Sequence, residues 1–170
     1  MGERTNDDLN TPEWILDLVR RMGPIGLDPC SNRWSTVGAR FSVGLPDADG
    51  LDVDWELLTD VGKGSCFVNP PYSRPLPWAR KFALWRSCLT DAFTGPEPHG
   101  FVLVKCAPST RWWKVLMSVA SARVDFHKRI TFEGGAHKSG TMDSTMFYAG
   151  PSPYLFAHIF SPHGEVRVYR

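Results

Sequence analysis

The tetrapeptide Asn69-Pro70-Pro71-Tyr72 combines an amide side chain, two prolines and an aromatic ring. The Asn69 side-chain oxygen and the Pro70 carbonyl are hydrogen-bond acceptors, and the proline pair stiffens the backbone that carries them. Two acceptors aimed at the N–H bonds of an amine conjugated to a ring, such as that of adenine, return electron density to its nitrogen. Tyr72 adds a flat face for a base swung out of its stack. The pattern predicts a site that activates such an amine.

A second polar segment, Asp28-Pro29-Cys30-Ser31, follows the short apolar run 25–27. The brevity and abrupt end of this run predict a buried strand with Asp28 at its carboxyl end. Residues 65–68 form a similar run that stops at Asn69, because the prolines that follow lack an amide donor. Carboxyl ends of parallel strands meet at one edge, so we expect Asp28 and Asn69 to share a cleft. Alternatively, Asp28 caps a helix, since Asp-Pro is common at helix entries.

The remaining segments predict an α/β fold. Thr11 is a candidate N-cap with Pro12 at the first helical position, and apolar residues follow at helical spacing. Further helices are predicted at 77–89 and 111–121, and further strands at 40–43, 100–106, 123–126, 129–132, 144–148 and 166–169. Strands that alternate with helices indicate a Rossmann-like, mostly parallel sheet with helices on both faces.

Length and composition limit the class of protein. The 170 residues predict a single domain, 1–170, whose polar first ten residues we expect to be a frayed tail. A formal charge of +1 does not by itself indicate nucleic-acid binding. The four cysteines stand far apart without a CxxC pair, so no metal site is predicted. No segment is apolar enough for a membrane span or a leader, and we expect a cytoplasmic protein.

Five sequence blocks follow one another along the chain. They are Thr11-Pro12-Glu13-Trp14, Leu27-Asp28-Pro29-Cys30-Ser31, Asp49-Gly50-Leu51 with Trp55, Phe67-Val68-Asn69-Pro70-Pro71-Tyr72-Ser73, and Pro108-Ser109-Thr110-Arg111-Trp112-Trp113. Their order resembles that of a known family, the phage-type DNA N6-adenine methyltransferases of bacteriophages and prophages, and the resemblance runs from about Thr11 to Tyr148. A lone proline pair after a strand is often only the start of a loop, and the ordered blocks favour the catalytic interpretation.

The resemblance implies the methyltransferase version of this fold and S-adenosyl-L-methionine as cofactor. Its catalytic residues would be Asn69, Pro70, Pro71 and Tyr72, and its cofactor contacts Thr11, Pro12, Asp28, Pro29, Cys30, Ser31, Asp49 and Asn69. The glycine-rich loop that methyltransferases often have after the first strand is absent here, which leaves open which carboxylate holds the ribose. Asp49 also fits a solvated acidic turn, together with Asp47, Asp52 and Asp54.

The implied partner is double-stranded DNA, methylated at N6 of adenine within a bacterial host cell. Larger relatives insert a target-recognition domain, for which the roughly forty residues between Asp28 and Asn69 leave no room. Readout would then come from loops on the cleft face. The basic candidates for DNA contact are Arg74, Arg111, Lys128, Arg129 and Lys138, although such residues are usually a solvated face.

Two kinds of alternative function remain open. The first is the same chemistry on an RNA base or a protein glutamine, because related enzymes share the tetrapeptide. The second is a non-catalytic DNA-binding relative that keeps the fold. The tryptophans at positions 14, 78, 85, 112 and 113 are interpreted as core residues rather than base-stacking residues.

Overall fold

A computed structural model describes residues 9–92, 96–134 and 141–169. In these ranges the chain forms five helices, α1 (Glu13–Arg20), α2 (Trp55–Gly62), α3 (Pro75–Ala92), α4 (Arg111–Met117) and α5 (Pro153–Phe160). Nine strands accompany them: β1 (Ile25–Asp28), β2 (Phe41–Ser42), β3 (Ser65–Val68), β4 (Gly100–Lys105), β5 (Ala122–Phe126), β6 (Ile130–Thr131), β7 (Thr141–Met142), β8 (Ser144–Ala149) and β9 (Gly164–Val168). None of the helices described is long and apolar enough to cross a bilayer.

Seven strands form one mixed sheet in the order β2-β1-β3-β4-β8-β5-β9, and β6 pairs with β7 separately. The pairs β2–β1, β1–β3 and β3–β4 are parallel, whereas β4–β8, β8–β5 and β5–β9 are antiparallel. The prediction of a mostly parallel sheet is therefore wrong. The α/β class and the helices on both faces are confirmed, because two apolar clusters lie on opposite sides of the sheet.

The parallel half forms from short strands that are buried along their whole length. All four residues of β1 and all four of β3 are buried, as are the first five of β4. Along β4 the side chains alternate between faces. Phe101 and Leu103 join the cluster with α1 and α5, while Val102 and Val104 join the cluster with α2, α3 and α4. Helices on both sides exclude water from this half of the sheet.

The antiparallel half is built around β8, all six residues of which are buried. It lies between β4 and β5, with Val102 opposite Phe147 and Val124 opposite Met146. A strand buried on both faces has no alternating polar side, so its sequence resembles that of a parallel strand. The direction of β8 was therefore not visible in its residue pattern.

Helix α1 begins one residue later than predicted. Its N-cap is Pro12, and no side chain caps it. Thr11 was predicted to cap this helix, but its hydroxyl accepts a hydrogen bond from Asn69 at 3.3 Å instead. The expected frayed tail is also wrong where the structure describes it, since Asn10 is buried and pairs through its backbone with Glu133. Residues 1–8 lie outside the described residues.

Candidate active site

Asp28 and Asn69 meet where the strand order reverses. The chain passes from β1 outward to β2 and then returns across β1 to β3, so β1 and β3 are neighbours whose onward connections diverge. Such a reversal leaves a crevice at the carboxyl ends of the two strands, where ligands bind in open α/β sheets. Asp28 is the last residue of β1, and Asn69 directly follows β3. The structure thus brings the two predicted residues to one crevice.

A polar cavity of about 240 Å³, including its open mouth, occupies this crevice. Polar side chains from four segments line it, namely Asn10, Thr11, Asp28, Asn32, Ser35, Thr36 and Asn69. Only about 10 Å³ of this space can hold the centres of water molecules, whereas ligand sites for small molecules usually enclose about 300–1,000 Å³, so the cavity is too narrow for a nucleoside. Its walls must separate before a nucleoside-sized group can enter.

Asp28 is a buried carboxylate held by its own loop. Its Oδ1 accepts a hydrogen bond from the Cys30 amide at 3.1 Å, and its Oδ2 accepts one from the Ser35 hydroxyl at 3.2 Å. Burial raises the pKa of Asp28 from its usual range to about 6, because desolvation outweighs these hydrogen bonds. Residues 29–40 contain turns and no helix, which excludes the helix-cap alternative. A ligand that donates hydrogen bonds to such a carboxylate stabilises its charged form.

Asn69 has one end of its amide fixed and the other free. Its Nδ2 donates to the Leu9 carbonyl and to the Thr11 hydroxyl, both at 3.3 Å. Its Oδ1 is buried and has no hydrogen-bond partner in the described part of the chain. The two acceptors determine which way the amide faces, and an unpaired buried oxygen is costly unless a ligand satisfies it. Asn69 therefore presents an acceptor that a donor from outside the chain can use.

Pro70 and Pro71 continue directly from β3 into a turn. Pro70 is buried, and the Pro71 carbonyl accepts a hydrogen bond from the Arg74 amide at 3.1 Å. The Pro71 carbonyl is thus used by the turn itself. This leaves the Pro70 carbonyl as the backbone acceptor next to Asn69 in the chain.

The Tyr72 ring lies between an aromatic residue and a cation. Phe132 contacts it edge-on with 5.6 Å between ring centroids, and the Lys105 ammonium lies 5.2 Å from the Tyr72 centroid. The Tyr72 hydroxyl is buried, and none of the described residues bonds to it. Burial raises its pKa well above the usual range, so the phenol stays protonated. The Tyr72 ring can stack against a nucleobase, but its protonated hydroxyl cannot act as a general base.

Two glycines allow the neighbouring loop to close on the segment after β1. A Cβ at Gly50 would lie 1.8 Å from the Pro29 carbonyl oxygen, and one at Gly44 would lie 1.9 Å from that of Ser31. The Ser31 amide also donates to the Val43 carbonyl at 2.9 Å. These approaches are possible only without side chains at the two glycines. The loop after β2 therefore supports Asp28-Pro29-Cys30-Ser31 from behind.

The other predicted cofactor residues fall into two groups. Thr11 and Cys30 line the cavity together with Asp28 and Asn69. Pro12, Pro29, Ser31 and Asp49 lie in adjoining segments outside the cavity lining. The Asp49 side chain is exposed and accepts a hydrogen bond from the Leu51 amide at 2.8 Å. That arrangement favours the acidic-turn interpretation of Asp49.

The thiols near the crevice are unsuited to covalent chemistry. Burial raises the pKa of Cys30 and of Cys66 well above the usual value, and the nearby Asp28 carboxylate raises both further. Both side chains stay protonated at neutral pH, whereas nucleophilic cysteines are thiolates. Within the described ranges, no group of three or more His, Cys, Asp or Glu side chains is placed to hold a metal ion.

The predicted DNA contacts are surface residues at several places. Arg74, Arg111 and Lys128 are exposed. Arg129 is also exposed and forms an ion pair with Asp143 at 3.1 Å. Lys138 lies outside the described residues.

Several residues of the site were not predicted, among them Asn32, Thr36 and Val37 of the cavity lining. Leu9 and Asn10 lie in the segment expected to be frayed, and no local pattern marks them. Ser35 contacts Asp28 from a stretch without regular structure. Lys105 could have been found, because it ends the clearest buried strand and therefore lies at the carboxyl edge of the sheet.

The residues present fit S-adenosylmethionine in their chemistry. The buried carboxylate of Asp28 is an acceptor within the cavity. The ribose hydroxyls and the amino group of the cofactor are donors that would satisfy acceptors of this kind. The glycine-supported loop after β1 occupies the usual position of a nucleotide-binding loop in a sheet of this type.

Comparison with known families agrees with the geometry. The family model described as DNA N-6-adenine-methyltransferase (Dam) matches residues 2–147. No curated protein and no solved structure matches the chain. The matched range contains the whole crevice, including Asp28, Asn69 and Tyr72. The chain belongs to the DNA N-6-adenine-methyltransferase (Dam) family.

Proposed function

We propose that this protein is an S-adenosylmethionine-dependent methyltransferase that methylates N6 of adenine at specific sites in double-stranded DNA. The observation that carries the proposal is the Asn69 amide. Its nitrogen is held by the Leu9 carbonyl and the Thr11 hydroxyl, so its buried, unpaired oxygen is left for a donor from a ligand. An exocyclic amine of adenine is such a donor.

In this proposal the chain's own residues hold and activate the amine. Asn69 Oδ1 accepts one N6–H bond and the Pro70 carbonyl accepts the other, which draws electron density onto the nitrogen. The Tyr72 ring stacks against the base once the nucleotide has left the duplex. When bound, S-adenosylmethionine supplies an electrophilic methyl group on a sulfonium centre. Holding both partners in one crevice accounts for much of the acceleration.

Asp28 is proposed to bind the cofactor, and Asp49 offers a direct comparison. Asp28 is buried in the cavity, whereas Asp49 is exposed outside its lining. We expect Asp28→Ala to weaken binding of S-adenosylhomocysteine at least tenfold in calorimetry and Asp49→Ala to change it less than twofold. The reverse order would assign the cofactor carboxylate to Asp49 instead.

The substrate is tested by offering three polymers to the same enzyme. With labelled S-adenosylmethionine we expect label in double-stranded DNA as N6-methyladenine and none in RNA or in protein glutamine. Asn69→Ala should abolish the label while leaving S-adenosylhomocysteine affinity nearly unchanged. Sequencing of methylated DNA from cells that express the protein identifies the recognition sequence. Labelled RNA or protein would reassign the substrate, and absence of both binding and label would indicate a non-catalytic relative.

Origin in a phage or prophage is part of the proposal and rests on the order of the sequence blocks. The enzyme would then methylate DNA within the bacterial host cell. Methylation of both host and phage DNA in the same cells would be the expected result.

A further inference from the structure

Residue Asn10 joins segments on opposite sides of the candidate site. Its backbone amide donates to the Glu133 carbonyl at 2.8 Å, and the Glu133 amide donates back to the Asn10 carbonyl at 3.1 Å. This pair forms an isolated antiparallel bridge. The residue before Glu133 is Phe132, whose ring contacts Tyr72. The backbone of Asn10 therefore faces the side where the adenine is proposed to stack.

The side chain of Asn10 faces the other way, toward the loop that follows Asp28. Its Nδ2 donates to the Trp34 carbonyl at 2.6 Å, and its Oδ1 accepts from Asn32 Nδ2 at 3.3 Å. Asn32 Oδ1 in turn accepts from the Trp34 amide at 2.9 Å. Asn10 is only 8% exposed, so these bonds are shielded from water. They hold the 32–34 turn against the segment that contains Asn10.

The immediate neighbours of Asn10 complete the connection. The Leu9 carbonyl and the Thr11 hydroxyl are the two acceptors that orient Asn69. Three consecutive residues thus contact the proposed catalytic amide, the cofactor-side turn and the Glu133 segment. A shift of this short segment changes all three at once.

Filling the cavity must shift this segment or the turn opposite it. Asn10 and Asn32 both line the cavity, whose volume is below that of usual small-molecule sites. A nucleoside-sized group therefore enters only if the two walls separate or are rearranged. Because the Asn10 side chain spans these walls and its backbone is bridged to Glu133, the rearrangement reaches the adenine side directly.

We propose that Asn10 is a positioning residue that links the cofactor cavity to the DNA side of the site, so that a filled cavity strengthens DNA binding. The inference rests on the proposed function. It adds a linkage between the two ligands and assigns that linkage to one residue. The ligand-free cavity is too narrow for its ligand, so the 9–11 segment takes its ligand-bound position only when the cavity is filled, and in that position the Glu133 bridge and the Asn69 amide are set for DNA.

The linkage is measured as a ratio of dissociation constants. Fluorescence anisotropy gives the affinity for a duplex of the identified recognition sequence, with and without saturating S-adenosylhomocysteine. Calorimetry gives the affinity for S-adenosylhomocysteine with and without that duplex. In the wild-type protein we expect both ratios to be about fivefold or more and equal to each other, because linkage is reciprocal.

Asn10→Ala removes both side-chain bonds and leaves the backbone bridge. We expect its ratios to fall below twofold, while methylation at saturating ligands is reduced but retained. Ser65→Ala is the matched control. It removes a hydrogen bond of 3.2 Å from a side chain that is also buried to the Pro24 carbonyl, at the opposite edge of the sheet. The ratios of Ser65→Ala should equal those of the wild type even if its melting temperature falls as much as that of Asn10→Ala.

The outcomes separate the linkage from the proposed function. A wild-type protein that methylates DNA but has ratios near one overturns the linkage alone, as does an Asn10→Ala protein that keeps the wild-type ratios. A wild-type protein that binds neither ligand overturns both. If Asn10→Ala does not fold, Asn32→Ala removes the half-buried partner of its Oδ1 instead. We expect Asn32→Ala to reduce both ratios at least twofold. Unchanged ratios would overturn the assignment of the linkage to Asn10.

Discussion

The ammonium of Lys105 lies over the ring of Tyr72, 5.2 Å from its centroid. Lys105 is exposed at the end of β4, while the Tyr72 hydroxyl is buried. A cation–π contact whose cation is exposed contributes roughly 0.5–1 kcal/mol, which an incoming base can replace. The cation covers a face on which adenine is proposed to stack, so we expect it to leave the ring when DNA binds.

A displaced ammonium beside a DNA strand is expected to meet a phosphate. Lys105→Met keeps most of the stem and removes the charge. We expect it to weaken DNA binding on all sequences and to make the slope of log affinity against log salt shallower by about one unit. Lys114→Met, at another exposed lysine, serves as a control that should leave the slope unchanged. Tighter binding with an unchanged slope would indicate that Lys105 only blocks the ring.

Thr11 is expected to act through Asn69 rather than on the cofactor. Thr11→Val removes the hydroxyl that accepts from Asn69 Nδ2 but preserves the shape of the buried side chain. We expect turnover to fall about tenfold or more, because misorientation worth about 1.4 kcal/mol in the transition state is tenfold in rate. Affinity for S-adenosylhomocysteine should change little, and Thr11→Ser should restore turnover. A large loss of cofactor affinity without loss of turnover would return Thr11 to the cofactor contacts.

Asp28 makes the stability of the ligand-free protein depend on pH. Its folded-state pKa of about 6 exceeds the usual value, so between about pH 4 and pH 6 the folded state binds more protons than the unfolded state. The free energy of unfolding therefore contains a contribution that decreases as the pH rises through this window, by roughly 2–3 kcal/mol. Urea denaturation of wild type and Asp28→Asn at several pH values measures the difference. Parallel curves for the two proteins would exclude a raised pKa at Asp28.

A substitution at Gly50 tests whether the loop after β2 supports the segment Asp28-Pro29-Cys30-Ser31. Its added Cβ in Gly50→Ala would meet the Pro29 carbonyl oxygen at 1.8 Å, so one of the two backbones must move. We expect a loss of about 1–3 kcal/mol in the free energy of unfolding, as for other overpacked sites, together with weaker cofactor binding. Asp47→Ala, an exposed residue of the same loop, is the control and should be neutral. Unchanged cofactor affinity in Gly50→Ala would show that the loop after β2 does not support the cofactor site.

The basic residues after β5 are tested together. Arg129 pairs with Asp143 at the surface, and such exposed pairs contribute only about 0–1 kcal/mol, so its guanidinium can exchange for a phosphate. Replacement of Lys128, Arg129 and Lys138 by alanine should weaken DNA binding alike on all sequences and flatten the salt dependence, with the recognition sequence unchanged. Wild-type affinity and slope in this triple variant would place DNA along Arg74, Arg80 and Arg111 instead.

The strands that end at the site could be predicted where residues next to them in the chain determine their ends. The strand 65–68 was predicted with its observed bounds, because prolines at 70 and 71 exclude its continuation. The strand ending at Asp28 was confirmed for a similar reason, since a turn follows a short buried run. Polar residues at two such ends were enough to predict the shared crevice.

Features that depend on distant partners were not predictable in this way. The Thr11 hydroxyl had a plausible local role as a helix cap, but Asn69, 58 residues away, takes its hydrogen bond instead. Asn10 is buried and forms hydrogen bonds with Trp34 and Glu133, which lie far from it in the chain. Helix α5 was missed although Ser152 and Pro153 stand at its N-cap and first turn, because the apolar Pro153–Phe160 segment shows no strong alternation with polar residues.

Direct pairing between β5 and β8 has a consequence for how target preference can diversify. Asp125 lies opposite Thr145, so the polypeptide leaves the sheet after Phe126 and returns at Ser144 beside its point of departure. An excursion whose two ends are adjacent tolerates insertions and deletions at little cost, since closure entropy grows only slowly with length. Residues of this excursion that contact neither Tyr72 nor Asn10 can therefore be exchanged or extended without altering the crevice at Asp28 and Asn69, whereas Phe132 and Glu133 make those contacts and are constrained. Under the proposed function, target reading by this excursion can vary while the methyl-transfer crevice stays the same.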